Sequence, residues 1–577
     1  MRMNGSIGRT SQAEVLRITT GMIRHILLFI FALVTAESFV LNAPIRVHPQ
    51  SVPLRSPTEL ALIRRTIKRI FRRKKRGSDS ENVDDFLDNV KDQPQQPLEP
   101  MLVDTTPNER ASVCVVGGGV SGLSAAISCA KGLSKVDESQ IVLLEASPTV
   151  GGRVQSDKTQ DGYTLDRGFA VFIEAYPESQ KLLDYDKLHL GQFLPGALVK
   201  ISKYRSELAR ISDPLRVPAD LFTALTAPIG NILDKLAVTM LILNVRRKSI
   251  DQLFQEKETS TLEALEERWG FSETMMDRFF RPFLEGVYLA PLDKQSSRMF
   301  SFVMKMFSEG SASLPEGGIG AVSEQLKETA LESGVDIRVD SPVVKVNAVK
   351  AQQNGLISVE TMDGKRLECD SLIIATEGIA ASRLISQLEG FESLESLPKQ
   401  PQRAVGCVYY GFKGEPPVSD PILILNGIGA DRGSESNPIN NICFPSVVAR
   451  GYAPEGYSLC SVSVRKETMD LFRGRDEDLD EAVRKELASW FPNASVCEEW
   501  DLKGIYRIPN AQPSQFRGPL PANVHSVRPA NTFWKTELPD GIFVCGDHMS
   551  TSTLNGALES GTKAGVMASM KVAKRGS

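Results

Sequence analysis

The chain has 577 residues, of which 41% are hydrophobic and 24% are charged, a composition typical of globular proteins with two or more domains. Away from the N-terminus there is no stretch of 18 or more apolar residues, which argues against a polytopic membrane protein. The eight cysteines and five histidines are dispersed along the chain, and the cysteines form no CxxC pair. The pattern therefore predicts no metal site, and thiols that are mostly buried.

The charge is divided unevenly along the chain. Residues 1–77 carry 15 of the 67 basic residues and 3 of the 71 acidic ones, which leaves 52 basic and 68 acidic residues for the rest. Nucleic-acid binding needs clustered Lys and Arg on the folded surface. The acidic body of the chain therefore predicts no nucleic-acid partner.

The N-terminal segment has the features of a targeting leader. The apolar run Ile26–Val34 follows a short basic start and precedes the small residues Ala36–Ser38, which predicts a cleavable signal peptide over residues 1–38. Residues 39–77 are rich in arginine and resemble the second part of the bipartite plastid leaders of algae with secondary plastids. That resemblance implies a plastid protein; the alternative is the secretory pathway, with a signal anchor or a basic arm. Residues 78–110 are acidic and rich in Pro and Gln, which predicts a disordered linker.

A dinucleotide-binding motif follows this linker. A buried strand, a glycine turn, a helix, a second buried strand and an acid come in order: Ser112–Val116, Gly117-x-Gly119-x-x-Gly122, Ser121–Ala130, Ile141–Leu144 and Glu145. Together they supply the full context of a Rossmann βαβ unit rather than an isolated glycine pattern.

Each position has a physical role in such a unit. Gly117 permits the tight turn, Gly119 lets the backbone approach a pyrophosphate, and Gly122 allows the helix and strand to pack closely. The helix N-terminus at Ser121 offers free N–H groups and a partial positive charge to the phosphates. Glu145 accepts hydrogen bonds from the ribose hydroxyls of an adenosine, and its charge repels a 2′-phosphate, which disfavours NADP.

The residues after Glu145 indicate which dinucleotide is bound. A short spacer leads to Gly151-Gly152-Arg153. This arrangement resembles the flavin amine oxidase superfamily, which includes the carotenoid desaturases and protoporphyrinogen oxidase. The resemblance implies FAD, with Gly152 admitting a second backbone segment and Arg153 binding phosphate or ribityl oxygens; a surface salt bridge is the alternative interpretation of Arg153. The cysteine motif for covalent flavin attachment is absent, so noncovalent FAD is expected.

Segments in the middle of the chain fit the same family. Leu314–Gly320 resembles its proline and double-glycine step and leads into a predicted helix over Ala321–Glu332. Val335–Val346 alternates like a strand and is broken at a proline. The resemblance implies that the backbone of Val343 contacts the adenine, whereas the residue taken alone is an ordinary core valine. Ser371–Thr376 is predicted to be a strand that returns to the Rossmann sheet.

The C-terminal block completes the resemblance. A strand that begins at Gly541 ends in Gly546-Asp547, and a last helix opens shortly afterwards. By resemblance, Asp547 binds a ribityl hydroxyl; a turn or helix-capping role is the alternative. The helix start at Ala557 is implied to direct its N–H groups at the flavin C2 carbonyl, where negative charge gathers on reduction.

The rest of the chain is predicted to form the substrate-binding half. Leu182–Phe300 is expected to be mostly helical, and Leu236–Val245 is interpreted as a buried helix in preference to a tunnel wall or a membrane-contacting helix. Phe169 and Phe172 are interpreted as core aromatics, with a place in the pocket wall as the alternative.

Two further segments bear on the substrate. Arg278–Tyr288 is rich in aromatic residues and resembles a block of desaturase-like flavoproteins, where Arg281 and its neighbouring phenylalanines line the cavity or pack in the core. His548–Thr553 contains no Phe, Tyr or Trp, which argues against the aromatic cage of amine oxidases.

These features predict an α/β fold, in which a Rossmann-type FAD-binding domain carries an inserted α+β substrate domain. The expected boundaries are 111–180, 311–380 and 536–577 for the first domain, and 181–310 and 381–535 for the second. The expected function is hydride transfer from a small lipophilic substrate, such as a carotenoid, another isoprenoid or a tetrapyrrole, to flavin N5. The alternatives are an amine oxidase, a non-redox carotenoid isomerase that needs reduced FAD, and a binding protein with a vestigial flavin site. No catalytic side chain or oligomeric state is assigned, and peripheral membrane contact is a further expectation.

Overall fold

The computed structural model describes residues 109–136, 138–212, 216, 226–348, 356–392, 402–514 and 538–576. The predicted signal peptide, the basic segment and the linker up to residue 108 lie outside these residues. Within them, no helix is both long and apolar enough to cross a membrane.

The described residues form two large sheets with helices around them. The strands are β1 Glu109–Val116, β2 Ile141–Leu144, β3 Ser156–Lys158, β4 Thr164–Asp166, β5 Phe172–Ile173, β6 Leu190–Gln192, β7 Gly196–Lys200, β8 Leu208–Ser212, β9 Ala312–Pro315, β10 Asp336–Arg338, β11 Val343–Ala348, β12 Ile357–Thr361, β13 Arg366–Ile374, β14 Gln402–Lys413, β15 Leu423–Asn426, β16 Ile439–Cys443, β17 Tyr457–Arg465, β18 Asp501–Pro513 and β19 Ile542–Val544. The helices longer than one turn are α1 Val120–Leu133, α2 Pro177–Leu182, α3 Ile232–Arg247, α4 Ile250–Gln255, α5 Arg281–Tyr288, α6 Ser297–Glu309, α7 Gly320–Glu332, α8 Gly378–Ile385, α9 Lys466–Leu471, α10 Asp476–Trp490 and α11 Leu554–Gly576.

The first sheet is the predicted Rossmann sheet. Its order is β10-β2-β1-β13, and the far edge of β13 is shared by β12 and β19. The strands β10, β2, β1, β13 and β19 all run parallel, whereas β12 is antiparallel to β13. The last strand of the chain therefore completes the parallel sheet to which β1 belongs, and the predicted α/β fold class is confirmed.

Both faces of this sheet are covered. Val113 and Val115 of β1 pack with residues of α1, α7 and α11, whereas Cys114 and Val116 pack with residues of α8. A parallel strand that is buried on both faces is apolar along its whole length, which explains the continuous apolar run in the sequence. All eight cysteines are free thiols, and all except Cys497 are buried.

The C-terminal helix α11 lies directly on α1. A Cβ on Gly561 would be 2.0 Å from the carbonyl oxygen of Ser121, so the two helices approach at a position where a side chain does not fit. The Ser124 hydroxyl donates to the carbonyl oxygen of Leu558 over 3.1 Å. The two ends of the described chain thus form one tightly packed layer.

The second sheet belongs to the insertion and has the order β18-β14-β17-β16-β15-β7-β8. The strand β7 runs parallel to β15 and pairs antiparallel with β8. The expectation that Leu182–Phe300 is mostly helical is therefore wrong for Gly196–Lys200 and Leu208–Ser212. The first of these strands pairs with Leu423–Asn426, which lies far along the chain. Strand formation depends on such partners more than on local propensity.

The helical part of the insertion begins with α3. Asn231 and Asp234 form a capping box, in which each side chain accepts a hydrogen bond from the backbone N–H of the other. Two π-helical segments follow, Ala264–Trp269 and Met276–Phe280. Such segments are frequent at functional sites, and the second one contributes two phenylalanines to the cavity described below.

Candidate active site

The carboxyl ends of the parallel strands meet along one edge of the first sheet. The strand β1 leads into Gly117, β2 into Glu145, and β13 into Thr376 and Glu377. The strand β19 leads into the block that contains Asp547. Ligands of open α/β sheets bind at this edge. The fold therefore gathers the predicted residues from both ends of the chain in one place.

The turn between β1 and α1 contains three glycines with different surroundings. Gly117 has a φ of +108°, and a Cβ on Gly122 would lie 1.8 Å from the carbonyl oxygen of Gly117. Gly119, in contrast, has no atom within 4 Å of its Cβ position. The Ser121 hydroxyl is buried and has no hydrogen-bond partner among the described residues. The turn thus combines a tightly packed side with an open side, and the open side is at Gly119.

Glu145 is fixed by the glycine turn. Its carboxylate accepts hydrogen bonds from the backbone N–H groups of Gly118, at 2.6 Å, and Ser147, at 2.8 Å. Its carbonyl oxygen accepts from the N–H of Ser341 at 2.8 Å. This bond places the segment that leads to Val343 beside Glu145, and Val343 itself is the half-buried first residue of β11.

Gly151 and Gly152 bring a second loop against the glycine turn. The N–H of Gly151 donates to the carbonyl oxygen of Gly118 over 2.8 Å, and a Cβ on Gly152 would be 3.4 Å from the Cα of Gly119. Both residues have positive φ values, +115° and +59°, which favour glycine. The loop therefore lies directly against the predicted position of the pyrophosphate.

Arg153 joins this loop to the C-terminal block. Its Nη2 donates to Oδ1 of Asp547 over 2.7 Å, and its Nη1 donates to the carbonyl oxygen of Ala511 over 3.1 Å. The Asp547 side chain is 9% exposed and the Arg153 side chain is 37% exposed. Arg153 thus forms an ion pair, but with the residue predicted to bind the ribityl chain rather than with a surface acid.

The residues around Asp547 are buried. Gly546 has a φ of +148°, and the ring of His548 lies 2.5 Å from the position of a Cβ on Gly546. Burial lowers the pKa of His548 to about 4, so the imidazole is neutral near pH 7. His548 is therefore uncharged beside the ion pair of Asp547 and Arg153.

The helix α11 opens next to this block. Thr553 precedes it, and its hydroxyl and carbonyl oxygens accept from the N–H groups of Gly556 and Ala557, both at 3.1 Å. The N–H of Ala557 is thus engaged within the first turn. The positive end of the helix dipole still faces the residues that precede the helix, Ser552 and Thr553.

Sequence reasoning missed Thr376 and Glu377 at the carboxyl end of β13. The Thr376 hydroxyl and Oε1 of Glu377 are buried, with no hydrogen-bond partner in the described part of the chain. The signal was available in the sequence, because Glu377 is an acid close behind a buried strand, as Glu145 and Asp547 are.

These groups fit an extended dinucleotide such as FAD. Pyrophosphate binding needs glycines and free N–H groups at a helix start, which the turn at Gly119 supplies. Sugar hydroxyls need acceptors, which the carboxylates of Glu145 and Asp547 supply on either side of that turn. The buried hydroxyls of Ser121 and Thr376 provide further unused hydrogen-bonding capacity along the same edge.

Comparison with known proteins decides the family. Residues 120–566 match the family described as flavin containing amine oxidoreductase. The chain belongs to this family. Its members are flavin-dependent oxidoreductases, and the resemblance inferred from the glycine turn, the Gly-Gly-Arg sequence and the C-terminal block is confirmed.

Curated relatives of this flavoprotein act on different substrates. The chain is 23% identical over 314 residues to coproporphyrinogen III oxidase of Bacillus subtilis (strain 168), covering 49% of this chain and 64% of that protein. It is 28% identical over 187 residues to protoporphyrinogen oxidase 2, chloroplastic/mitochondrial, of Arabidopsis thaliana, covering 32% and 34%. It is 22% identical over 376 residues to carotenoid 3,4-desaturase of Haloarcula japonica, covering 60% and 74%. The match therefore spans less than two thirds of the first two proteins.

Solved structures share the fold of this flavoprotein. Wild-type putrescine oxidase bound to putrescine superposes with a TM-score of 0.57 at 17% identity, covering 80% of this chain and 99% of the other. The TM-score shows a common architecture, and an identity of 17% says nothing about a common substrate.

A cavity of about 440 Å³ adjoins the predicted flavin site, a volume within the usual range for small-molecule sites. Arg153, Gln512 and Thr553 form its wall on the flavin side. Aromatic and aliphatic side chains from the insertion form most of the rest, among them Ile242 and Phe283. Among the described residues that line it there is no Asp, Glu, Lys or His. The described lining is thus mainly apolar apart from two arginines, and it provides no carboxylate for an ammonium group.

Two buried tyrosines supply polar groups to this wall. Tyr176 interacts with Thr553, and burial raises the pKa of its phenol above the ordinary range. Burial also raises the pKa of Tyr288, whose hydroxyl has no hydrogen-bond partner in the part of the chain described here. Both phenols stay protonated near pH 7, so each is able to donate a hydrogen bond to a substrate.

Some residues predicted to lie in the core of the substrate half are buried there, and others line the cavity. Phe169 lines the cavity, whereas Phe172 is fully buried in the core. The predicted buried helix Leu236–Val245 lies within α3, where Ile242 contributes to the cavity wall but Met240 is 57% exposed. The helix is therefore partly a tunnel wall, because one of its faces meets the cavity and another meets solvent.

The aromatic block contains residues that line the cavity and one predicted residue that does not. Phe279, Phe280 and Phe283 line the cavity. Arg281 is not among the described lining residues, and its guanidinium pairs with Asp277 over 3.0 Å.

Proposed function

We propose that this flavoprotein is an oxidoreductase that uses noncovalent FAD to take a hydride from a lipophilic substrate without positive charge, of the porphyrinogen or carotenoid class. The observation that carries the proposal is the aromatic cavity beside Arg153 and Thr553, whose described lining residues include no acid. Binding an ammonium group in an apolar cavity without a carboxylate is costly, which disfavours an amine substrate.

The chain's own residues have defined tasks in this proposal. The chemistry that FAD supplies when bound is the acceptance of a hydride from the substrate. The glycine turn at Gly119 and the carboxylates of Glu145 and Asp547 hold the cofactor. The phenylalanines of the insertion exclude water, and the phenols of Tyr176 and Tyr288 orient a polar substituent of the substrate. The proposal of noncovalent binding rests on the sequence, which has no match to the cysteine motif for covalent flavin attachment.

The relatives support the substrate class. The names of three curated relatives are those of two porphyrinogen oxidases and one carotenoid desaturase. Putrescine oxidase shares the fold at lower sequence identity. Amines are therefore the alternative substrates in the test of this proposal.

The test is an anaerobic half-reaction, which needs no external electron acceptor. The FAD-loaded full chain is mixed with coproporphyrinogen III, protoporphyrinogen IX, an acyclic carotenoid, putrescine or cyclohexylamine, and flavin reduction is followed by its absorbance. We expect reduction of the flavin by a porphyrinogen or a carotenoid. Mass spectrometry should then show that the substrate has lost two hydrogens for each FAD reduced. Reduction by the amines alone overturns the proposal, and isomerisation without a change of mass assigns a non-redox reaction instead.

We further propose that residues 1–77 direct the protein to a plastid. The support is the apolar run followed by the arginine-rich segment, together with the chloroplastic/mitochondrial name of the Arabidopsis relative. Residues 1–77 fused to a fluorescent protein should accumulate in the plastid of an alga with a secondary plastid. Secretion of the fusion would assign the leader to the secretory pathway.

A further inference from the structure

Glu377 carries a buried carboxylate oxygen that the fold leaves unused. Its Oε1 has no hydrogen-bond partner among the described residues, and its Oε2 accepts only a long bond from Nδ2 of Asn510, at 3.4 Å. Burial raises the pKa of this carboxyl. A buried acceptor without a donor is destabilising, and such groups are rare unless a ligand completes them.

The neighbours of Glu377 are the residues of the predicted flavin site. It interacts electrostatically with Arg153 and with Asp547. The next residue, Gly378, lies against the ring of His548, since a Cβ there would be 3.3 Å from the imidazole. Two carboxylates thus lie near the guanidinium of Arg153, and Glu377 also interacts with the guanidinium of Arg383. The negative and positive charges offset each other, and this balance does not favour a phosphate. The group that fits the unused oxygen is a neutral donor such as a hydroxyl.

The position of Glu377 in the sheet indicates which hydroxyl this is. In a Rossmann unit the adenosine ribose lies at the end of the second strand and the pyrophosphate lies at the first strand and its helix. Here those positions correspond to Glu145 and Gly119. Glu377 follows β13, on the opposite side of β1 from β2. It therefore lies beyond the pyrophosphate, on the flavin side, where FAD presents its ribityl chain.

We propose that Glu377 is a further FAD-binding residue, whose unused carboxylate oxygen accepts a hydrogen bond from a ribityl hydroxyl. The inference rests on the proposed noncovalent FAD, and it adds a contact from β13 to those from β1, β2 and β19. Arg153 and Arg383 together offset the charges of Glu377 and Asp547.

The test measures the affinity of the full-length apoprotein for FAD by titration. A hydrogen bond to a charged group corresponds to roughly a ten- to hundred-fold change in Kd, so Glu377→Ala should weaken FAD binding by about ten-fold or more. Glu377→Gln keeps one acceptor oxygen and should weaken binding less. Glu360→Ala is the matched control, because Glu360 is an acid of the same sheet that pairs with Arg366, and it should leave the Kd unchanged.

A second measurement separates a ligand contact from a structural role. FAD analogues that each lack one ribityl hydroxyl are titrated into the wild type and the Glu377→Ala variant. We expect one analogue to bind the wild type about ten-fold more weakly than FAD does. The Kd of that analogue should be the same for Glu377→Ala as for the wild type, because the contact it lacks is already lost. If Glu377→Ala does not fold, the same cycle with Glu377→Gln shows a reduced penalty for that analogue.

Two results would overturn the inference. The first is a Kd of Glu377→Ala equal to that of the wild type. The second concerns the ratio of the Kd of an analogue to the Kd of FAD. If this ratio is the same in the wild type and in the variant for every analogue, Glu377 acts through the fold and not through a ribityl contact. Failure of the wild type to bind FAD at all would instead overturn the proposed cofactor, and the two failures are therefore distinguishable.

Discussion

The contrast between Gly119 and Gly122 gives a sharp test of where the pyrophosphate lies. Gly119 has backbone angles of φ −68° and ψ 173°, which alanine adopts without strain, and its Cβ position is clear of protein atoms within 4 Å. Gly119→Ala should therefore leave the apoprotein as stable as the wild type. A gain of about 0.4–1 kcal/mol is expected if the reduced freedom of the unfolded chain is the main effect.

The same methyl group would occupy the approach to the glycine turn. A displaced pyrophosphate loses at least one charge-assisted hydrogen bond to the turn, about 1.5–3 kcal/mol, which corresponds to roughly a ten-fold or greater increase in the Kd for FAD. The assay is a titration of apoprotein with FAD, combined with urea unfolding of the apoprotein.

Gly122→Ala is the matched variant with the opposite expectation. Its Cβ would lie 1.8 Å from a backbone oxygen, and overpacking of this kind costs about 1–3 kcal/mol or more, so the apoprotein itself should be destabilised. The reasoning is refuted if Gly119→Ala binds FAD as tightly as the wild type, or if Gly122→Ala leaves the apoprotein unchanged.

Three further predictions concern the C-terminal block and the cavity. Burial lowers the pKa of His548 from 6.5 to about 4, so on acidification the unfolded state takes up the proton first, and stability is lost as the pH falls from about 6.5 to about 4. His548→Phe replaces the imidazole by a ring that does not titrate. The drop in unfolding free energy between pH 7 and pH 5 should therefore be about 2 kcal/mol smaller in this variant than in the wild type; an equal drop in both proteins would contradict the burial argument. Asp547→Asn removes the partner of Arg153 and should cost the apoprotein about 1 kcal/mol while weakening FAD binding, measured by urea unfolding and titration; unchanged FAD affinity would remove Asp547 from the cofactor site. Ile242→Trp fills the cavity and should raise the KM for the substrate by about ten-fold or more with an unchanged Kd for FAD, and normal turnover would show that the substrate binds elsewhere.

The Rossmann unit was predictable because its determinants are local. The glycine turn, the buried strands around it and the acid at Glu145 lie within one short stretch, and each carries its own steric or electrostatic requirement. The return of the chain at Asp547 was predictable for the same reason, since a buried strand ending in Gly-Asp is itself a local pattern.

The insertion was not predictable to the same extent. Leu423–Asn426 pairs with the strand Gly196–Lys200, which in turn pairs with Leu208–Ser212. Local periodicity does not predict a pairing partner that is so distant in the sequence. The place of Tyr288 in the cavity wall depends on how α5 packs against its neighbours. The position of Glu377 was predictable, because it closely follows a strand that the sequence predicts. Its role was not predictable, because it depends on the neighbouring Arg153, which is distant in the sequence.

The central claim is that one FAD molecule lies across the carboxyl ends of the first sheet. A crystal structure of the FAD-loaded full chain tests it directly. The account predicts the pyrophosphate over Gly119 and the ribityl chain between Asp547 and Glu377, with the isoalloxazine ring facing the cavity at Thr553. Density for FAD at another position, or a cofactor that leaves Gly119 and Asp547 without contact, would contradict the account.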